Sequence, residues 1–185
     1  PISTTKYLNG HSDVVGGVVV SSTQALQDDV AWWGNCLGLT AGAFDSYLTL
    51  RGLRTLHARL TQHGANAAAV AACLDGHPAV AAVHFPGLAS HPQHELARRQ
   101  QSGFGAMLSF EVHGGIPAVE RFLAGLSCFT LAESLGGVES LIELPASMTH
   151  ASVPPAQRAA LAIADGLVRL SDRKSTRLNS SHIPL

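Results

Sequence analysis

Residues 3–17 read STTKYLNGHSDVVGG: a lysine between hydroxyl side chains, followed by a glycine-containing β-branched run. Lys6 is one of only two lysines among 12 basic residues, the other being Lys174. Arginine therefore supplies the ordinary surface charge. A primary amine can lose its proton near neutral pH and condense with a carbonyl carbon, whereas a guanidinium stays protonated. Ser3 and Thr5 flank the lysine at short range. Hydroxyls beside such an amine suit a phosphorylated aldehyde, because their O–H groups donate to the phosphate while the amine holds the aldehyde carbon. The four-residue pattern alone is weak, and a solvated surface lysine is its competitor.

Outward from this stretch, Val14–Ser21 reads as a buried strand, in which Gly16 and Gly17 let another backbone or a ligand come close. Gln24–Leu37 has helical composition and is broken by Asn35–Gly42. Phe44–Leu74 reads as one long helix with an apolar stripe at Tyr47, Leu50, Leu53, Leu56 and Leu60, and Gly64 marks a bend or domain crossover. Beyond it come a strand at Ala79–Phe85, a polar helix at His91–Gln101 and an alternating strand at Ala106–Val112. An amphipathic helix at Ile116–Leu126 follows, then short strands at Phe129–Ala132 and Val138–Leu144. A helix at Pro154–Ala164 and a strand at Leu167–Leu170 complete the order, which suits a small α+β domain.

The whole chain has 185 residues, 46% hydrophobic and 14% charged, which is enough to bury a core. A net charge of −1 argues against a nucleic-acid partner bound through bulk positive charge. No apolar run reaches the roughly 18 residues of a membrane span. Cys36, Cys73 and Cys128 are far apart and odd in number, so neither a disulfide framework nor a zinc motif is expected, and a reducing cytoplasm is the default. His84, His91 and His94 are the best metal candidates, but no carboxylate or cysteine accompanies them at ligand spacing, and no metal is expected. His11 and Asp13 read as supports for the loop after the lysine.

Further strings follow in order: AGAFDSYLTLRGLRTL, GFGAMLSFE, FTLAESLGGVESLIELPASMTHAS and GLVRLS. With the opening motif, they closely resemble the pyridoxal-phosphate-dependent family of cysteine and methionine metabolism. The resemblance covers residues 3–171. It implies an α/β fold: the C-terminal part of a fold-type I transferase, with residues 1–64 ending the large cofactor domain and 65–171 forming a C-terminal α+β domain. Trp32-Trp33 and AGAFDSY are most similar to the γ-synthase branch, which makes cystathionine from O-succinylhomoserine and cysteine. ELPASMTHAS is shared more broadly and resembles the γ-lyase branch as well, so a γ-lyase or a homoserine sulfhydrylase of the same family is the alternative.

The resemblance also implies roles. Lys6 matches the Schiff-base lysine, and Ser3 and Thr5 match the hydroxyls on the phosphate of pyridoxal 5'-phosphate. Ser134 and Arg169 match the residues that bind the substrate's α-carboxylate. Glu133 matches a position tied to substrate preference and to the substrate amine. Small amino-acid substrates, a cytoplasmic homotetramer and a place in methionine biosynthesis are implied, with neither nucleic acid nor membrane as partner. The ring-stacking aromatic, the acidic partner of the ring nitrogen and the glycine-rich phosphate loop have no counterpart here. The chain, which opens on Pro1 without Met, is expected to be part of a longer enzyme, inactive by itself. Residues 172–185, DRKSTRLNSSHIPL, have no period and resemble translated adapter sequence, so they are expected to be non-native.

Overall fold

A computed structural model describes Pro1–Ser171; residues 172–185, with the expectation placed on them, lie outside the described residues. The chain forms two compact units. Among the described residues, the first holds Pro1–His57 with Gly136–Val138, and the second holds Ala58–Leu135 and 139–171.

In the first unit, β1 (Ile2–Ser3) pairs antiparallel with β2 (Gly17–Val18). The long strand expected at Val14–Ser21 is not formed. Only two of its residues find a ladder partner, because β1 is two residues long before the chain turns away. Val14 is buried, but Val15 and Val20 are 87% and 71% exposed. α1 spans Gln24–Leu37, the range read from the sequence. Its ends are set locally: Thr23 accepts a hydrogen bond from the Leu26 N–H at 3.3 Å, and Gly38 takes the left-handed conformation at φ 68° that ends a helix cheaply.

The expected single helix from Phe44 to Leu74 is two helices, α2 (Ala43–Leu53) and α3 (Leu56–Leu74). The break falls at Arg54–Thr55, not at Gly64. Both the N–H and the hydroxyl of Thr55 donate to the Gly52 carbonyl at 3.1 Å, which draws that carbonyl out of the helical ladder. The stripe at Tyr47, Leu50, Leu53 and Leu60 is exposed, at 61%, 63%, 39% and 41%.

Gly52 itself sits against the buried Asn9, where an added Cβ would collide with the Asn9 carbonyl oxygen and stand 2.8 Å from its Cα. Alanine normally gains about 1 kcal/mol over glycine in a helix. Here the neighbour is backbone and has no rotamer to escape into, so overpacking of about 1–3 kcal/mol wins. Gly52→Ala is therefore expected to lower stability. A thermal or urea midpoint equal to or above that of the parent would refute this.

The second unit is a five-stranded sheet in the order β3-β4-β7-β6-β5. Its strands are β3 (Val80–His84), β4 (Met107–Val112), β5 (Thr130–Leu131), β6 (Leu141–Glu143) and β7 (Leu167–Ser171). All neighbours are antiparallel except the β5–β6 pair. The connecting helices are α4 (His94–Gln100), α5 (Gly115–Ala124) and α6 (Pro155–Ala160). Each lies inside the range expected from sequence, apart from Gly115, one residue earlier.

Alternation gives the sheet two faces. Leu108, Leu170 and Ile142 are register partners on one face, beside the Phe110–Val168 pair. They pack with Ala67, Val70, Ala71 and Leu74 of α3 and with Val119 and Phe122 of α5. Phe110 and Phe122 meet edge to face, with centroids 5.7 Å apart. The opposite face carries Ser109, Arg169 and Glu143 in mutual register. Period-two alternation thus delivers an arginine and a glutamate side by side on the face turned away from the apolar core.

Candidate active site

Lys6 lies in a wide single turn, Thr4–Leu8, closed by Asn9 N–H donating to Thr4 O at 3.1 Å and Gly10 N–H donating to Lys6 O at 2.8 Å. The backbone is non-helical at Lys6 itself, with φ −98° and ψ −122°. Gly136, at φ 89°, belongs to the same unit and packs on this turn: a Cβ there would lie 2.6 Å from Lys6 C and Tyr7 N. The main chain of the lysine is thus held at a contact only glycine permits. The following loop is braced through Asn9, which donates from Nδ2 to Asp13 Oδ1 at 2.6 Å and whose carbonyl lies 2.7 Å from His11 Nδ1. His11 and Asp13 both contact Asn9 in this loop, in keeping with their reading as loop supports.

Ser3 and Thr5 stand on the same segment as Lys6. Ser3 is exposed and sits in the β1–β2 ladder opposite Gly17. Thr5 is tied to Gly16 in both directions: its Oγ1 accepts from Gly16 N–H at 3.0 Å and donates to Gly16 O at 3.3 Å. The donated bond is the longer. Rotating that hydrogen toward an anion costs one weak contact and leaves the accepted bond in place.

Arg169, on β7, is in the second unit. Its Nη2 donates to the Ser134 carbonyl at 3.1 Å and lies 2.8 Å from Glu143 Oε2. Ser134 has φ 94°, a strained conformation for a residue with a side chain. The structure therefore brings Ser134 and Arg169 together, through the serine backbone. Glu133 is exposed and shares no hydrogen bond or ion pair in which Arg169 takes part.

Glu143 is the residue that sequence reasoning missed. It is 1% exposed, and its Oε1 accepts from Thr149 Oγ1 at 3.1 Å. The signal was present: a glutamate in LIELP has apolar neighbours on both sides, as Arg169 has in LVRL. Two such charges on different strands are candidates for a pair.

The histidines have other partners. His84 Nε2 lies 3.0 Å from Glu111 Oε1, and His94 Nδ1 lies 2.7 Å from Pro86 O while its ring stacks on Phe104. Among the described residues, no group of three or more His, Cys, Asp or Glu could hold a metal ion.

Comparison with known proteins gives the context for this geometry. The profile described as Cys/Met metabolism PLP-dependent enzyme matches residues 2–172. This chain belongs to that family. It is 55% identical over 169 residues to the cystathionine gamma-synthase of Escherichia coli, covering 91% of this chain and 44% of that protein. It is 52% identical over 169 residues to the cystathionine gamma-lyase of Dictyostelium discoideum, with the same coverage of 91% and 44%. Among solved structures, cystathionine gamma synthase from Xanthomonas oryzae, in complex with aminoacrylate and cysteine, superposes with a TM-score of 0.91 at 62% identity. That match covers 94% of this chain and 45% of the other. The chain thus spans less than half the length of the relatives it matches, and its fold is part of a fold-type I enzyme.

The family's cofactor is pyridoxal phosphate, and the residues of the lysine turn fit it. Lys6 offers an amine for the aldehyde carbon. Ser3 and Thr5 offer hydroxyl donors on the same short segment, with the Thr5 hydrogen on a long, replaceable bond. The donor set is an amine and O–H groups, with no carboxylate among residues 1–12 to repel a phosphate.

Proposed function

We propose that this chain is the C-terminal part of a cystathionine γ-synthase, which replaces the succinyloxy group of O-succinylhomoserine by the thiol sulfur of cysteine, giving cystathionine and succinate. The observation that carries the synthase reading is the 62% identity to the Xanthomonas synthase over 94% of this chain. The proposal includes a place in methionine biosynthesis, in the cytoplasm, and a homotetrameric whole enzyme.

When bound, pyridoxal phosphate supplies an electron sink that acidifies the substrate's Cα–H bond. The remaining work falls to side chains. Ser3 and Thr5 donate to the phosphate. Lys6 would hold the cofactor through its amine, and that amine would serve as the base that takes the Cα proton, assists at Cβ and returns a proton at the end. Arg169 and Ser134 bind the α-carboxylate and so orient the Cα–H bond, and Glu133 faces the substrate amine. Supporting the Arg169 role, Ser134 O and Glu143 Oε2 both engage one nitrogen, Nη2, within its own unit.

The test uses the full-length protein that carries this segment. Cystathionine and succinate formation from O-succinylhomoserine and cysteine is measured beside 2-oxobutanoate release from cystathionine. The synthase reaction is expected to be faster by about tenfold or more. Faster cleavage of cystathionine would assign the protein to the lyase branch instead.

A further inference from the structure

We propose that Glu143 is a positioning residue: its buried carboxylate sets the orientation in which Arg169 meets the substrate's α-carboxylate. The inference rests on the clamp reading of Arg169 given above.

Glu143 and Arg169 are direct register partners across the antiparallel β6–β7 pair, so their side chains rise from the same face at neighbouring points. The carboxylate is 1% exposed and the arginine side chain is 24% exposed. A carboxylate that deep requires a compensating charge, and Arg169 Nη2 at 2.8 Å supplies it. Oε2 receives no hydrogen bond among the described residues, so the contact is a charge contact rather than an aligned N–H···O bond. Oε1 is fixed separately by the Thr149 hydroxyl at 3.1 Å. The carboxylate is therefore anchored on one oxygen and attracts the guanidinium with the other.

Ser134 O takes a hydrogen bond from the same Nη2 at 3.1 Å, presented by a backbone at φ 94°. One hydrogen-bond acceptor and one charge partner on the same nitrogen determine where the planar guanidinium lies, and the fork geometry then determines where its other donors point. A second anion near Arg169 also opposes a substrate carboxylate by simple repulsion. Orientation outweighs repulsion here, because a clamp misplaced by about 1 Å costs roughly a hundredfold in rate.

The test compares binding of an L-amino-acid substrate with binding of its α-carboxamide, by titration of the full-length holoenzyme. A general loss of fold weakens both ligands alike, whereas a misplaced clamp weakens only the carboxylate. Glu143→Gln keeps the shape and removes the charge; it is expected to lower the preference for the carboxylate about tenfold. Glu143→Asp is expected to recover part of that loss. Thr149→Val loosens Oε1 from a more exposed position and is expected to lower the preference about twofold to fivefold, which keeps the inference testable if Glu143→Gln does not fold. Arg169→Lys is measured in parallel. A preference unchanged or raised in Glu143→Gln and in Thr149→Val, but lowered in Arg169→Lys, overturns the positioning role and leaves the clamp standing. A preference unchanged in Arg169→Lys overturns the clamp itself.

Discussion

Lys6→Ala in the full-length protein is expected to abolish turnover, with a loss of at least about a thousandfold. Proton transfer by a positioned side chain contributes roughly 10²–10⁴-fold, and Lys6 is proposed both to transfer protons and to anchor the cofactor. The only other lysine in the chain is Lys174. Arginine is a poor substitute, since it does not deprotonate, and Lys6→Arg is expected to be as inactive. Three readouts decide: the protein-bound visible absorbance of the cofactor, steady-state synthesis of cystathionine, and circular dichroism as a check of fold. Retention of the parent's visible band and of more than about a tenth of its activity, in a folded variant, would remove Lys6 from the role.

The second large effect is expected at Arg169. Removing one member of a buried charged hydrogen-bonded pair costs about 2–5 kcal/mol, or roughly 30-fold to several thousandfold in kcat/KM. Arg169→Ala carries an additional burden, because it leaves Glu143, 1% exposed, without its charge partner. Stranding such a carboxylate costs about 3–5 kcal/mol of stability. The informative variants are therefore Arg169→Lys, which keeps a cation beside Glu143 but loses the planar fork, and the double variant Arg169→Ala with Glu143→Gln, which removes the stranded charge. Both are expected to bind cofactor normally and to lose most of kcat/KM for the amino acid. A change below about twofold in both, with cofactor loading intact, would count against carboxylate binding by Arg169.

Local chemistry decided much of what the sequence alone could determine. The two ends of α1 rest on Thr23 and Gly38, each acting within four residues, so their positions were readable without the fold. The alternation in AMLSFEV placed Leu108, Phe110 and Val112 on one face, because side chains on any strand alternate. The lysine between hydroxyls, and the strings that follow it, were enough to reach the family.

Tertiary structure decided the remainder, and the reason is the same in each case. A strand needs a partner: Val14–Ser21 has strand composition throughout, yet only Gly17–Val18 pairs, because β1 is short. The break between α2 and α3 turns on Thr55 capturing the Gly52 carbonyl, a competition between two hydrogen-bonding schemes that composition does not rank. The tight seat of Gly136 on the Lys6 backbone joins residues far apart in the chain. So does the pairing of Glu143 with Arg169, which exists only once β6 and β7 are in register. A buried charge is visible in a sequence as an oddity; which opposite charge answers it is settled by the sheet.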